Sequence, residues 1–362
     1  MIANIFVLGI VAYASIVNSI YPDFYYLSVQ EDEYLEWTSF WSFLLAAAAY
    51  YLRATSYRLE THRIPWFLWG VALFCFFVAM EEISWGQRLL GYRPPTYFLE
   101  HNYQQEFNFH NVVDTDYRKL VLKLVIVGYG IVLPLATQFS YVKTWFERLG
   151  IAATTTVLVP AFAGTYLVYN LYPWSHSGEW VELMLGLCLL FSAVQVPRNL
   201  SSGNQPSRED RVRSSKIIVL AFVAVIGLGL MSGAISRSQR YALPINLQAT
   251  KNEVEAIVHD FDSGLAISRC NLHKRLYTFV GEYGQTRLFE GSYSGLQAQG
   301  LPMERAKFFL DPWNSPYWIR DRCDTQRSIR VIFVYSFGPN RRRDSTPTEI
   351  LGDDIGMHIF SD

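Results

Sequence analysis

The sequence predicts a polytopic α-helical membrane domain with seven transmembrane helices, followed by a soluble C-terminal α+β domain. Two observations lead to this prediction. Of the 362 residues, 51% are hydrophobic and only 17% are charged, which is less charge than an ordinary soluble protein carries. Nearly all of the long apolar runs precede Ser236. We therefore expect a membrane domain over residues 1–236 and a water-soluble domain over residues 237–362.

Seven apolar stretches are long enough, or nearly so, to cross a bilayer, whose hydrocarbon core of about 30 Å takes about 20 helical residues. They lie near residues 3–21, 37–53, 65–87, 119–139, 150–172, 179–197 and 215–236. No basic residue precedes the first stretch, as one would in a signal peptide, so we expect it to be an uncleaved anchor.

Basic residues in alternate loops predict the orientation of these helices. The loops after the second, fourth and sixth stretches carry Arg53, Arg58, Arg63, Lys143, Arg148, Arg198, Arg208, Arg211, Arg213 and Lys216. The loops after the first and fifth stretches contain neither Lys nor Arg. Loops rich in Lys and Arg usually face the cytoplasm. We therefore expect the N-terminus inside the cell and residues 237–362 outside.

A cluster of acids and histidines lies at the predicted outer ends of the helices. Glu81 and Glu82 end the third apolar stretch, Glu106 and His110 follow four residues apart, and His176 and Glu179 flank the start of the sixth. A carboxylate is costly in hydrocarbon and therefore favours a functional role. Carboxylates and imidazoles that meet between helices can bind a transition metal. The candidate ligands are Glu82, Glu106, His110, His176 and Glu179.

The sequence leaves three interpretations of this cluster open. The acids can be solvated at the membrane interface or paired with Arg88 and Arg93. They can form a polar site for a metal or a small ligand. They can also form a hydrolytic centre in which Glu81 or Glu82 activates a metal-bound water, with Arg88 as a further catalytic candidate. The sequence contains no HExxH, GxSxG or Walker motif, which would have indicated a specific chemistry.

The C-terminal domain combines a helical pattern with short β-rich runs. An apolar stripe that includes Val254, Ile257 and Val258 predicts a helix near residues 247–268. The run IRVIFVYSF over 329–337 predicts a strand. In an oxidising compartment, Cys270 and Cys323 are candidates for a disulfide. The other two cysteines lie in apolar stretches and are expected to be core residues.

Three motifs in the C-terminal domain point to a known family. Residues 310–317 read LDPWNSPY, residues 335–340 read YSFGPN and residues 353–355 read DDI. In order and spacing they resemble the C-terminal region of the type II secretion major pseudopilin, over roughly the last 55 residues. No family is assigned to the membrane half.

The resemblance implies a pilin-like fold in the periplasm, a bacterial inner membrane, and a terminal loop stabilised by calcium. The candidate calcium ligands on the matching loop are Asp344, Asp353 and Asp354. Carboxylate oxygens are the ligands that calcium prefers. The sequence departs from the family pattern over residues 340–343, where three arginines stand in a segment that is usually rich in glycine.

Two hypotheses about function follow. The first is an inner-membrane envelope component, whose exported pilin-like domain binds a protein partner or mediates assembly of a larger membrane complex. The second is a membrane-embedded, metal-dependent, hydrolase-like enzyme built on Glu81, Glu82, Glu106 and His110. Both place the chain in a lipid bilayer. The net charge of −1 gives no indication of a nucleic-acid partner, and none is expected.

Overall fold

The computed structural model describes residues 1–30, 33–90, 92–102, 105–195, 208–241, 244–261, 272–282, 301, 303–324, 329–341 and 343–361. Within these residues the chain is mostly helical and contains a small C-terminal sheet, as the sequence predicts. The chain divides into two compact units. The first comprises Met1–Gly86 and Asn108–Ser236, and the second comprises Gln87–Phe107 and Arg237–Asp362.

Helices make up all of the regular structure up to residue 195 among the described residues. In chain order they are α1 (Ile2–Ile20), α2 (Pro22–Ser28), α3 (Tyr34–Thr61), α4 (Trp66–Glu82), α5 (Gln87–Leu90), α6 (Thr96–His101), α7 (Thr115–Lys123), a π-helix (Leu124–Val132), α8 (Leu133–Ala136), α9 (Ser140–Arg148), α10 (Val159–Leu171) and α11 (Ser177–Gln195), with short 3-10 turns at Ser84–Gly86 and Thr156–Leu158. The elements that follow are α12 (Arg208–Tyr241), α13 (Pro244–Phe261), β1 (His273–Arg275), α14 (Leu276–Glu282), α15 (Met303–Lys307), β2 (Trp318–Asp324), β3 (Ile329–Ser336) and β4 (Ile355–Ser361).

Four helical segments of the described residues are long and apolar enough to cross a membrane. They are Ile2–Ile20, Thr115–Ala136, Ser177–Gln195 and Val212–Gln239, which coincide with the first, fourth, sixth and seventh predicted stretches. The third predicted stretch contains α4, an apolar helix of only 17 residues. These helices are compatible with a protein that contacts a lipid bilayer.

The first unit is organised around α3 and α11. In α11, 78% of the apolar window is buried, compared with 22% in the segment Val212–Gln239, so α11 is the central helix. Gly186 of α11 allows α3 to approach closely, because a Cβ at this position would lie 1.9 Å from the Ser42 Oγ. Small residues at such positions let membrane helices pack backbone against backbone.

Helix α4 ends at Glu82, five residues before the end of the predicted apolar stretch. Three consecutive residues in the left-handed region then reverse the chain: Ser84 with φ 46°, Trp85 with φ 55° and Gly86 with φ 80°. Residues with a Cβ adopt this region at a cost. The prediction of a helix up to residue 87 is therefore wrong at its end, because a hydrophobicity pattern carries no signal for such a turn.

The second unit contains an antiparallel sheet with the strand order β1-β2-β3-β4. Its core packs Val254 and Ile257 of α13 with Ile319 of β2 and Val334 of β3. The strand predicted over 329–337 corresponds to β3. The helix predicted near 247–268 corresponds to α13, which ends at Phe261; residues 262–271 lie outside the described residues.

Residues 87–107, which the pattern of apolar stretches places in the membrane half, pack within the second unit. The side-chain Oε1 of Gln87 accepts a hydrogen bond from the Phe107 N–H at 2.7 Å and so joins the two ends of the segment. Leu99 packs with Phe308 and Leu310 in a small buried cluster. The sequence could not predict this packing, because the partners of the segment lie about 200 residues further along the chain.

Polar contacts strengthen the attachment of this segment within the second unit. The guanidinium Nη1 of buried Arg275 donates to the backbone oxygen of Asn102 at 2.9 Å. The Gln105 side-chain amide lies 3.4 Å from the backbone oxygen of Phe308. Removal of residues 87–107 would leave the guanidinium and the apolar cluster without these partners. An unpartnered buried polar group costs about 1–3 kcal/mol.

We therefore predict that residues 237–362 alone form a less stable domain than the same residues fused to 87–107 through a flexible linker. The fused protein should unfold at a temperature higher by at least about 5 °C, since about 1 kcal/mol shifts the midpoint by several degrees in a domain of this size. Thermal unfolding of the two soluble fragments, followed by circular dichroism, measures the difference. Equal midpoints would contradict the assignment of 87–107 to this unit.

Candidate functional site

The carboxylate of Glu81 connects the end of α4 to a distant loop of the same unit. Its Oε2 accepts hydrogen bonds from the backbone N–H of Phe109 at 2.6 Å and of His110 at 2.8 Å. The His110 Nδ1 lies 3.4 Å from the same oxygen. The Trp85 indole N–H donates to the other oxygen, Oε1, at 2.6 Å. Glu81 is therefore occupied by donors of its own chain and acts as an anchor.

The left-handed turn over Ser84–Gly86 brings Trp85 back over Glu81. The Trp85 ring also packs against Phe77 and Phe109, with ring centroids 5.7 Å and 6.4 Å away. Each residue with a Cβ in the left-handed region costs about 1–3 kcal/mol, and such strain often accompanies functional sites. Here the strain directly follows the two adjacent glutamates and shapes their surroundings.

Glu82, the neighbour of Glu81, lies among carboxylates from three helices. It is only 8% exposed. Glu36 of α3, Glu179 and Glu182 of α11, and Glu81 lie close enough to interact with it electrostatically. Like charges that interact in a poorly hydrated place repel one another. The first unit thus holds a group of five glutamates, which we call the acid cluster: Glu36, Glu81, Glu82, Glu179 and Glu182.

Two cationic groups of the described residues interact with the acid cluster. His110 and Arg118 both interact electrostatically with Glu182, and the Arg118 guanidinium lies 3.5 Å from the backbone oxygen of His110. A partly buried site rich in carboxylates attracts cations.

The structure brings together only some of the predicted metal ligands. Glu82 and Glu179 interact within the acid cluster, and His110 borders it. Glu106 belongs to the second unit, where it is buried and its backbone oxygen accepts from the Asn102 side chain at 2.8 Å. His176 is exposed, has a left-handed φ of 58°, and packs edge-on against Tyr26.

The four-residue spacing of Glu106 and His110 would place them on one face of a helix, but no helix forms there. Residues 105–114 form bends and turns instead of a helix, because the Phe109 and His110 N–H groups donate to Glu81 instead of to the backbone. The side chain of Arg88 lies outside the described residues, so its predicted catalytic role stays a prediction. Glu179 and Glu182 lie three residues apart in α11 and therefore share one face of that helix.

Two members of the acid cluster, Glu36 and Glu182, were not among the candidate ligands chosen from the sequence. Glu182 could have been found, because it lies one helical turn after Glu179 at the start of an apolar helix. The sequence could not show which of the acids around Glu36 joins the cluster. That depends on how α3 packs against α4 and α11. The sequence also contained a signal for the hydrogen bond from Trp85 to Glu81, because Trp85 follows Glu81 by four residues.

The pseudopilin-like motifs of the second unit meet around Asp311. Its Oδ1 accepts from the backbone N–H of Trp313 at 2.9 Å and of Ser315 at 2.8 Å. Its Oδ2 accepts from the Ser336 hydroxyl at 2.6 Å. Burial raises the pKa of the Asp311 carboxyl to about 6. The DPW and YS motifs are thus joined by a single buried carboxyl group.

Two of the three predicted calcium ligands, Asp344 and Asp354, use their carboxylates within the terminal loop itself. The Oδ2 of Asp344 accepts from the Asn340 side chain at 2.7 Å and from the Asp353 N–H at 3.2 Å. The Oδ2 of Asp354 accepts from the backbone N–H of Asp344 and of Ser345. A calcium ion at this loop would compete with these donors, and its binding stays a prediction.

Of the cysteines, Cys75 and Cys188 are buried free thiols. Cys323 forms a disulfide. Its predicted partner, Cys270, lies outside the described residues, so the pairing stays a prediction. A disulfide in the second unit is compatible with an oxidising compartment.

Comparisons of the chain with protein-family models, with curated proteins and with solved structures find no significant match. The class of protein must therefore be judged from the fold and the site alone. The chain is helical, is compatible with a membrane, and has a carboxylate cluster in its first unit.

The two adjacent glutamates should respond oppositely to the same substitution. Glu81→Gln replaces an oxygen that accepts hydrogen bonds by an NH₂ group, which would face its donors, and should lower the free energy of unfolding by about 2–4 kcal/mol. Glu82→Gln removes repulsion and should leave the stability unchanged or raise it. Unfolding of the detergent-purified full-length protein in the presence of a chelator measures both. A loss of equal size in the two variants would contradict the anchoring role of Glu81.

Asp311 should make the second unit less stable as the pH rises from 4 to 7. Its pKa is higher in the folded state than the ordinary 3.8, so the folded state binds more protons and stability falls through this range. The difference between about 6 and 3.8 corresponds to about 3 kcal/mol.

Asp311→Asn tests this prediction, because its amide oxygen retains both backbone donors and its NH₂ group can donate to Ser336. The variant should gain about 3 kcal/mol relative to wild type between pH 4 and pH 7. Hydrogen exchange of β3 in the full-length protein, corrected for intrinsic rates, reports the difference. If the difference in stability between Asp311→Asn and wild type does not change with pH, the raised pKa of Asp311 is refuted.

Proposed function

We propose that this chain is an integral protein of the bacterial inner membrane with seven transmembrane helices and a cytoplasmic N-terminus. The four long apolar helices support membrane insertion. In this proposal α3, α4 and α10 provide the remaining spans, and the second unit with its pilin-like sheet is periplasmic. Arg58 and Arg63 at and just after the end of α3, and Lys143 and Arg148 within α9, support the orientation.

The membrane half, in this proposal, binds a divalent metal at the acid cluster and uses it as a membrane-embedded enzyme. The observation that carries the proposal is the convergence of Glu36, Glu179 and Glu182 on Glu82. The carboxylates that surround buried Glu82 repel it in a poorly hydrated place, and a bound cation would offset this repulsion. Bound metals provide this compensation and hold carboxylate-rich sites together between helices.

Glu81 and Glu82 take different roles in this site. Glu81 orients the loop that carries His110, since its oxygens already accept from that loop. Glu82 faces the other carboxylates and is the candidate ligand or general base. A metal there would supply a Lewis acid that lowers the pKa of a bound water. The hydrolase-like chemistry follows from this combination of ligand and base.

No three His, Cys, Asp or Glu side chains among the described residues stand in an arrangement that already fits a metal ion. The proposal therefore includes a rearrangement, in which side chains of the acid cluster move toward the metal as it binds. Glutamate side chains have three rotatable bonds and can make such a movement within a fixed helical frame. Glu82 and Glu179 are the ligands expected first, with His110 as the nearest imidazole.

Metal content of the purified full-length protein tests this proposal directly. We expect about one divalent metal ion per chain, since carboxylate and imidazole ligands suit a single such ion. Glu82→Gln and Glu179→Gln should lose most of it. The control is Glu209→Gln, which changes an exposed glutamate of the first unit away from the cluster and should retain the metal. Elemental analysis of dialysed protein measures all four samples.

Metal retained in full by Glu82→Gln, or absent from the wild-type protein, would refute the metal site. If the wild-type protein contains no metal, bound protons would have to offset the negative charge of the acid cluster, and the enzyme hypothesis would lose its basis. The alternative proposal, an envelope component whose periplasmic unit binds a protein partner, would then be the one left to pursue.

A further inference from the structure

A groove in the first unit lies at the other end of α4 from the acid cluster. It has a volume of about 580 Å³ and is lined mainly by α4 and the π-helix. The lining includes Phe67, Gly70 and Phe74 of α4, and Val125 and Gly128 of the π-helix. Helix α4 rises by about 1.5 Å per residue. The groove lies near the start of this helix and the acid cluster near its end, so the two are separate sites.

The groove offers only apolar surface to a ligand. Its two side chains with polar atoms have their polar groups engaged elsewhere. The Tyr129 hydroxyl lies 2.7 Å from the Tyr50 hydroxyl and 3.1 Å from the Ser192 hydroxyl. The Trp66 indole N–H donates to the backbone oxygen of Leu149 at 2.8 Å. What remains is hydrocarbon and ring surface, which favours an acyl chain.

A second cavity of about 680 Å³ shares Trp66 and Ile151 with the groove, so the two are adjacent. Arg63 and Arg148 line this second cavity, together with Glu60 and Glu147. Glu147 pairs with Lys143 of the same helix at 3.9 Å. In the part of the chain that the structure describes, neither arginine side chain takes part in an ion pair. Two guanidinium groups are thus available beside the open end of an apolar groove.

The helix between these cavities has the character of a membrane-surface helix. In α9, Tyr141 and Trp145 are exposed, while Phe146 lines the groove. Lys143 and Arg148 are on the same helix. Aromatic residues and cations combined in this way place a short helix in the headgroup region of a bilayer. The two arginines then lie at the depth of lipid phosphates.

We propose that the groove and the cavity together bind one anionic phospholipid. Its acyl chain lies between α4 and the π-helix, and its phosphate lies at Arg63 and Arg148. Guanidinium groups bind phosphate oxygens through paired hydrogen bonds. Their two positive charges also repel the cationic group of a zwitterionic headgroup, which favours an anionic lipid. The proposal rests on the membrane placement proposed above but not on the metal.

Two glycines allow the groove to be filled without disturbing the fold. A Cβ at Gly70 or at Gly128 would meet no atom within 4 Å, so a leucine there would extend into the groove. Leucine is also a better helix former than glycine. Gly227 of α12 has equally open surroundings and lies outside the groove. Gly227→Leu is therefore a matched control for Gly128→Leu and Gly70→Leu.

Native mass spectrometry of the delipidated full-length protein tests the proposal. The lipids are phosphatidylglycerol and phosphatidylcholine with identical acyl chains, and glycerophosphate serves as a headgroup without chains. We expect wild type to bind phosphatidylglycerol roughly tenfold more tightly than phosphatidylcholine, as two cationic contacts would give. Gly128→Leu should lose most of the binding of both lipids. A protein with Arg63→Gln and Arg148→Gln should bind both lipids equally.

Several results would overturn the proposal. They are equal affinities of wild type for the two lipids, wild-type affinity in both Gly128→Leu and Gly70→Leu, or equally tight binding of glycerophosphate. Gly227→Leu should bind as wild type does, and a loss there would also refute the assigned groove. Glu82→Gln should retain the lipid preference, so failure of the metal site and failure of the lipid site can be told apart.

Discussion

The hydrogen bonds of Glu81 are the interaction on which the rest of the first unit's site depends. They connect the end of α4 to a loop 28 residues further along the chain. Three of the donors are N–H groups held at 2.6–2.8 Å, and hydrogen bonds to an ionised acceptor are stronger than those between neutral groups. This anchor and the packing of Phe109 against Phe77 and Trp85 together hold the His110 loop at the end of α4.

The anchor also explains why two adjacent glutamates differ. Successive residues of a helix point about 100° apart, so Glu81 and Glu82 face different surroundings. Glu81 faces backbone and indole donors, and Glu82 faces carboxylates on α3 and α11. The Glu81 charge is satisfied by donors of the fold, while Glu82 lies among like charges. A buried carboxylate surrounded by like charges is a candidate for function.

Part of this arrangement could be predicted from the sequence and part could not. Hydrophobic runs located the long helices, and an alternating β-rich run located β3, because both patterns follow from the period of the element. Acids at the end of an apolar helix pointed to Glu81 and Glu82. The assignment of residues 87–107 was missed, because the contacts of Leu99 and Asn102 depend on residues far away in the chain. The four-residue spacing of Glu106 and His110 is also compatible with a shared helical face. The loop forms no helix, because its N–H groups donate to Glu81 instead.

The turn after Glu82 shows how the fold sustains a costly local conformation. Ser84 and Trp85 both adopt positive φ, and nothing in their residue types favours it. The compensation is the contact that the turn makes possible, in which the Trp85 indole N–H meets Glu81 and its ring packs against Phe77 and Phe109. The strained turn, the indole and the anchored carboxylate therefore depend on one another, and together they leave Glu82 facing the acid cluster.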